Sequence, residues 1–446
     1  MKLLYVAPSA YLLGGVQDWL ADLVAGQRAR GVEVSVAVPD DSLHRLAPYA
    51  ERYPQLRPIG FRNPAGDAIG RIRSLMALLR RHPDHLVAGV NIAALYPAVR
   101  QLRRRRQFRG RVLLTLHALE AEYYNDLLEQ RDLLDAVVAT NRLSAALASQ
   151  LGGIAPERVL YAPYGVEIGG PAAPPFAAQP SSAEPPMDQA AELEIVWVGR
   201  LEQAQKRVHD IRPILAALDA AGLGFRLTIA GDGPERSALE HDLAPWRQRG
   251  SVRITGAIPR ESLRRNVYGP GKVLLITSAW ETGPIVAWEA IGAGMAVVSS
   301  RYLGSGLEDT LQEGRTALLF PVGDAAGAAR QLQRLRDPFL LSELLAAALP
   351  LVRRRYSREA SLAAWMNAFA LAEALPPLPM PAAVEPLAPA GGLDRLLGAP
   401  AAHRLRRLLG RRFRHSDAGS EWPHSGHPGE AAASLLQRAG PLDHHG

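Results

Sequence analysis

The feature that most constrains this chain is its alternation of short, continuously apolar segments with amphipathic ones, arranged in two blocks. The first block covers roughly 1–168, with the apolar runs "KLLYVAP", "VEVSVAVP", "HLVAGVN", "RVLLTLHA", "DAVVATN" and "RVLYAPYG". The second covers roughly 192–356, with "EIVWVG", "FRLTIAG", "VRITG", "KVLLIT" and "AVVSS". Helical patterns such as "QDWLADLVAGQRARG" (17–31) lie between most of these runs. A strand that is apolar at every position is buried on both faces, and amphipathic helices between such strands argue for parallel sheets covered on both sides. The pattern therefore predicts an α/β protein with two Rossmann-like, doubly wound parallel-sheet domains. No repeat of fixed period relates the blocks; they are alike in architecture only.

Residues 169–191 separate them, opening with "GGPAAPPFAAQPSSAEPP", which reads as a solvated Pro/Ala-rich linker. "SREASLAAWMNAFALAEAL" (357–375) reads as a helix capped by Ser357. From 376 to 446, Pro-rich and basic stretches predict a largely disordered tail. Inside it "HRLRRLLGRRFRH" (403–415) is short, basic and amphipathic, suited equally to a membrane surface or to a plain tail helix.

The 446 residues suffice for two or three domains, and the absence of cysteine excludes disulfides and thiolate metal sites, which fits a reducing compartment. "MKLLYVAP" opens as a strand rather than with a secretory layout, and no apolar run is long enough to span a bilayer. These features predict a cytoplasmic protein. The formal charge is +7, and "RQLRRRRQFRGR" (100–111) carries seven arginines and no acid. Such a run suits an anionic lipid or glycan, at the inner face of the cytoplasmic membrane, or else a solvated helix end. Nucleic acid is disfavoured, because no interleaved aromatics accompany the arginines.

In doubly wound sheets ligands sit beyond the carboxyl ends of the strands, so polar oddities at those ends are informative. "SAWETGPIVAWEAIGAG" (278–294) leaves the strand "KVLLIT" and places Glu281 in the loop and Glu289 on an otherwise apolar helix. With Pro284 opening that helix, the backbone N–H groups from Gly283 to Val286, near Thr282 and Ile285, offer an anion site. A buried carboxylate at 289 needs donors, which a ribose diol can supply and an arginine can supply as well. Arg200 emerges at the end of "EIVWVG", with Lys206 six residues on; a planar fork and a point charge together can grip a diphosphate. Gly14 and Gly15 follow the first strand and allow close backbone approach to a ligand or a plain tight turn. No dinucleotide fingerprint is present there. His117 ends a strand, and the backbone at Ile258, just past "VRITG", can meet a base edge.

These motifs, taken together, resemble the GT-B retaining glycosyltransferases of family 4. The match rests on Glu281 and Glu289 in "ETGPIVAWEAIGAGMAVVSS", supported by "GGVQ" (14–17), His117, "GRLEQAQK" and "AGDGPE" in the same order over about 1–375. The resemblance implies two Rossmann-like domains facing across a cleft, the N-terminal one binding acceptor and the C-terminal one the nucleotide sugar, with the 357–375 helix returning to the N-terminal domain. It implies that Arg200 and Lys206 hold the donor diphosphate and that Glu289 binds ribose. Glu281 then contacts the donor sugar, and Gly14, Gly15, Thr282, Gly283, Ile285 and Val286 line phosphate or sugar. Ile258 meets the base, and His117 sits beside the reacting centre. It further implies hexosyl transfer to a glycan or lipid-linked acceptor, with no cofactor beyond the sugar nucleotide and no metal. The chain departs from the family pattern at Tyr164, where Asn is usual, at Arg207, where Gly is frequent, and at Thr282–Gly283. A catalytically silent nucleotide-sugar or partner-binding module, and a GT-B epimerase or phosphorylase, are the competing readings.

Overall fold

The computed structural model describes residues 1–8, 15–41, 45–90, 92–169, 192–383, 391–413 and 432–443. The expected linker, beyond 169, and Gly14 lie outside these residues. The chain divides into two compact units, one formed by 1–163 and 362–438, the other by 164–361 and 439–446.

The first unit is built on seven strands: β1 (Lys2–Val6), β2 (Glu33–Asp40), β3 (Ile59–Arg62), β4 (Leu86–Val90), β5 (Val112–Leu116), β6 (Ala136–Ala139) and β7 (Val159–Tyr161). Their order is β3-β2-β1-β4-β5-β6-β7, and every pairing is parallel. Tyr5 of β1 sits between Val36 on one side and Ala88 on the other, which fixes the register of the centre. The second unit has six parallel strands: β8 (Leu193–Val198), β9 (Phe225–Ala230), β10 (Val252–Gly256), β11 (Val273–Ile276), β12 (Ala296–Ser300) and β13 (Leu318–Phe320). Their order is β10-β9-β8-β11-β12-β13. In both sheets the strand order reverses beside the first strand, at β1/β4 and at β8/β11, which is where doubly wound folds open a crevice.

The central strands are buried at almost every residue, as their unbroken apolar runs require. In the second unit Trp197, Phe225, Leu227 and Phe320 pack under the helices Ile211–Ala220 and Ala325–Arg334. Helix starts follow local capping chemistry. Asp67 accepts from the Gly70 N–H (2.8 Å), Asn141 from the Ser144 N–H (2.7 Å), and Ser357 from the Ala360 N–H (3.1 Å). Two strands escaped the sequence pattern, β3 and β13. Both are very short and lie at sheet edges, where an apolar run has no length in which to show itself.

Two expectations are corrected. The run 100–111 is only partly an outward patch: Arg104, Arg105, Arg106 and Arg109 are exposed, whereas Arg100, Arg103 and Arg111 are engaged inside the first unit. Arg100 forks onto Asp132, Arg103 and Arg111 share Asp135, and Arg109 pairs with Asp84. Arg111 and Arg104 also donate to the carbonyls of Leu375 and Pro381, while Arg158 donates to that of Pro376. The run of cations thus fastens the segment that follows the helix Arg358–Ala374. Nor is the tail disordered over its described length: it forms helices Gly392–Leu397, Ala399–Leu408 and Ala432–Ala439. The reason is polar rather than apolar. His403 Nδ1 donates to Asp67 (2.8 Å), and Arg406 donates to Asp67 (3.1 Å) and, through both terminal nitrogens, to Asp394 (2.9 and 2.8 Å). All four side chains are buried, a packing that composition alone does not reveal.

Candidate functional site

In the second unit the loop after β8 carries Arg200 and Lys206. Its shape is set from within: the Glu202 carboxylate accepts from the N–H groups of Gln205 (3.1 and 3.0 Å) and Lys206, while the Lys206 carbonyl accepts from Thr277 Oγ1 (2.7 Å). Thr277 is held in turn by Trp197 Nε1 (3.0 Å). Arg200 is exposed and, among the described residues, its guanidinium makes no ion pair. Lys206 Nζ donates to Glu281 Oε1 at 2.6 Å, joining the ends of β8 and β11 across the topological reversal. Ser278 Oγ donates to the same oxygen (2.5 Å), and Gln205 Nε2 reaches Oε2 at 3.4 Å. Glu281 is buried, and these donors offset its desolvation. An ammonium has three N–H donors, so Lys206 can serve Glu281 and an anion together.

Beside Glu281 the chain turns at Gly283, whose φ of 92° is left-handed and suits only glycine without strain. The helix Ile285–Gly292 follows. Pro284 precedes it instead of opening it, because the Ile285 N–H folds back onto the Gly283 carbonyl (2.8 Å). That bond removes Ile285 from the expected set of free donors. Among the described residues the N–H groups of Thr282, Gly283 and Val286 make no backbone hydrogen bond, so these three remain to face an anion at the positive end of the helix.

Glu289 is 5% exposed, yet it is not bare. Arg260 Nε donates to Oε1 and Tyr268 Oη donates to Oε2 at 3.3 Å. Burial, reinforced by Glu289, raises the Tyr268 phenol well above its ordinary pKa, so it stays protonated and donates. The arginine that the sequence left as one alternative is therefore present, two residues after the half-buried Ile258. A carboxylate offers about four acceptor positions, so a diol can still be accommodated. Arg260, Tyr268, Glu202, Thr277 and Ser278 were missed in the sequence. Their signals were weak: Arg260, Tyr268 and Thr277 act on partners 21 to 71 residues away, and Glu202 and Ser278 are ordinary loop residues whose bonds are local.

In the first unit Gly15 begins the helix Gly15–Ala29. His117 follows β5, is 4% exposed, and lies against Trp19 with ring centroids 4.7 Å apart. Thr115 Oγ1 gives its proton to the Gly89 carbonyl (2.8 Å), so at 2.8 Å His117 Nε2 is the donor to Thr115. Burial pushes the His117 pKa down to about 3, leaving a neutral imidazole with Nδ1 as an acceptor.

Comparison with known proteins agrees with this arrangement. A family model described as Glycosyltransferase Family 4 matches residues 13–169, and one described as Glycosyl transferases group 1 matches 192–337. The lipopolysaccharide core biosynthesis glycosyltransferase LpsD of Rhizobium meliloti is 34% identical over 147 residues, 32% of this chain and 40% of that protein. The 2-deoxystreptamine glucosyltransferase of Streptomyces kanamyceticus is 31% identical over 199 residues, 44% of this chain and 50% of that protein. The chain thus matches half or less of the length of these relatives. Among solved structures, the lipopolysaccharide outer core galactosyltransferase WaaB has a TM-score of 0.64 at 16% identity, covering 83% of this chain and 99% of that one. HepE of Anabaena, in complex with UDP, has a TM-score of 0.64 at 16% identity, covering 83% and 100%. Two parallel sheets with this strand order, two family models that meet them in sequence, and structural neighbours covering both place the chain among the GT-B glycosyltransferases of the group 1, family 4 type.

Proposed function

We propose that the protein is a retaining hexosyltransferase that moves a sugar from a nucleotide-diphosphate sugar to a glycan or lipid-linked acceptor. The observation that carries this reading is the Lys206–Glu281 pair spanning the β8/β11 reversal, with the exposed Arg200 on the same loop and the Thr282, Gly283 and Val286 N–H groups beside it. Breaking the bond between the anomeric carbon and the phosphate leaves charge on the diphosphate. Arg200, Lys206 and the helix end stabilise that charge, so no metal or other cofactor is called for. The acceptor oxygen attacks the anomeric carbon on the face the phosphate leaves, and its proton passes to a departing phosphate oxygen. No covalent protein nucleophile is then needed.

In this reading Glu281 contacts the donor sugar, while Glu289, oriented by Arg260 and Tyr268, takes the ribose hydroxyls and the backbone at Ile258 takes the base. His117, neutral at pH 7, serves as a hydrogen-bonding group beside the reacting centre, and the Gly14–Gly15 backbone meets the donor phosphate or sugar. The reaction is assigned to the cytoplasm. Among the described residues no helix is long and apolar enough to cross a membrane.

UDP-glucose is the first donor to test, since HepE is also solved in complex with it. Calorimetric titration with UDP-glucose and other sugar nucleotides should give one-site binding. Lys206→Ala and Glu289→Ala should each lower transfer at least tenfold while leaving the circular dichroism spectrum unchanged. The anomeric coupling in the product NMR spectrum should match that of the donor. Wild-type transfer rates in both variants would remove the assignment.

A further inference from the structure

The tail segment 391–413 packs with its polarity inverted. On the helix Ala399–Leu408 the buried residues are Ala402, His403 and Arg406, which face the body of the first unit. The opposite side carries Arg404 and, one turn on, Leu408, which is 83% exposed. Leu409 is 59% exposed, and in the preceding helix Gly392–Leu397 so are Leu396 (79%) and Leu397 (44%). Elsewhere among the described residues, exposed large apolar side chains are scattered along the chain. Leucine left in water while arginine and histidine are buried forgoes apolar burial that folding normally secures. The polar docking onto Asp67 and Asp394 fixes this orientation, so the leucines point outward because of the fold and not through want of a partner face.

The charge of the same surface is of one sign. Arg395, Arg404, Arg407, Arg411 and Arg412 are exposed, and the only acid of 391–413, Asp394, is buried against Arg406. Projecting leucines ringed by cations, with no exposed acid, complement an anionic interface whose interior is apolar. We infer that 391–413 is a docking surface for an anionic lipid bilayer: Leu396, Leu408 and Leu409 enter the headgroup boundary while the arginines meet lipid phosphates. This assigns membrane contact to the tail, separately from the arginines of 100–111, and it does not depend on what the donor site binds.

The test is flotation of the full chain with vesicles of phosphatidylcholine alone and of phosphatidylcholine mixed equally with phosphatidylglycerol. Binding should require phosphatidylglycerol and fall with added salt. Arg404→Gln with Arg407→Gln should lower the partition coefficient about thirtyfold, each arginine near such a surface being worth about fivefold. Leu408→Ser with Leu409→Ser should lower it at least tenfold. All four positions are exposed, so melting temperatures should not move; if one pair unfolds the protein, Arg411→Gln with Arg412→Gln gives the same reading of the charge. Equal binding to neutral vesicles, binding unchanged in these variants, or no binding at all would overturn the proposal. So would sedimentation showing that the leucines instead hold a second copy of the chain or an acidic protein.

Discussion

Arg207 shows how a single residue reports on the backbone beneath it. It stands where the resembling family favours glycine, and its φ of 48° and ψ of 46° are left-handed. The strain is offset by a two-point contact with Asp210, at 2.8 and 2.9 Å. Arg207→Ala keeps the strain and loses the contact, whereas Arg207→Gly loses the contact and the strain together. Chemical denaturation should find the glycine variant more stable than the alanine variant by about 1 kcal/mol. His117 makes a second prediction. Its folded pKa is depressed to about 3 against an ordinary value of 6.5, so below pH 6.5 the unfolded chain binds the extra proton and the native state loses stability as pH falls. The stability is fully present above pH 6.5. Between pH 7 and 5 this residue alone should cost about 2 kcal/mol, and His117→Gln should flatten that part of the pH–stability curve by the same amount. Glu289 was legible as an oddity, a carboxylate on an apolar helix. Its partners were not, because Arg260 and Tyr268 come from the far side of β11 in the sequence.

At the scale of elements, the site is a meeting of loops that leave neighbouring strands. Gly231, at the end of β9, lies so near the loop after β8 that an added Cβ would stand 1.8 Å from the Gly199 carbonyl oxygen. Gly233 is similarly close to the Leu201 backbone, and the Leu201 N–H donates to the Asp232 carbonyl at 3.0 Å. "AGDG" is therefore a close contact between backbones that sets the height of the Arg200–Lys206 loop. Because the obstacle is backbone, it cannot yield as a side-chain tip would. Gly231→Ala should destabilise the second unit by about 3 kcal/mol or more, read from the denaturation midpoint, and should weaken donor binding in the calorimeter. The sequence pattern found the buried central strands, since unbroken apolar runs have one reading between turn signals. It passed over β3 and β13, edge strands of four and three residues, too short for an apolar run to show itself.

At the scale of the whole molecule, polar contacts fasten the segments that follow the second sheet onto the first unit. Arg104, Arg111 and Arg158 hold the backbone of 375–381, and the buried set of Asp67, His403, Arg406 and Asp394 holds the tail helices. Removing one partner from a buried, hydrogen-bonded ion set leaves the others uncompensated, at about 3 kcal/mol or more. Arg406→Met should release the tail while leaving the sheet intact. Limited trypsin digestion should then cut readily between 395 and 412, with the far-ultraviolet spectrum little changed and the wild-type chain resistant under the same conditions.

By itself the sequence determined the two parallel sheets, because continuous apolar strands can be buried on both faces in few other ways, and it located Arg200, Lys206, Glu281 and Glu289 at strand ends, because chain order fixes which residues follow a strand. Tertiary structure decided who pairs with whom. It turned Arg100, Arg103 and Arg111 into internal fasteners and gave Glu289 an arginine. It also folded part of a Pro-rich tail into helices that bury His403 and Arg406 and leave Leu396, Leu408 and Leu409 outside. The physical reason is common to all three: apolar periodicity is a local property of the chain, whereas the partner of a charge lies wherever the fold brings it, at a separation that no window of sequence spans.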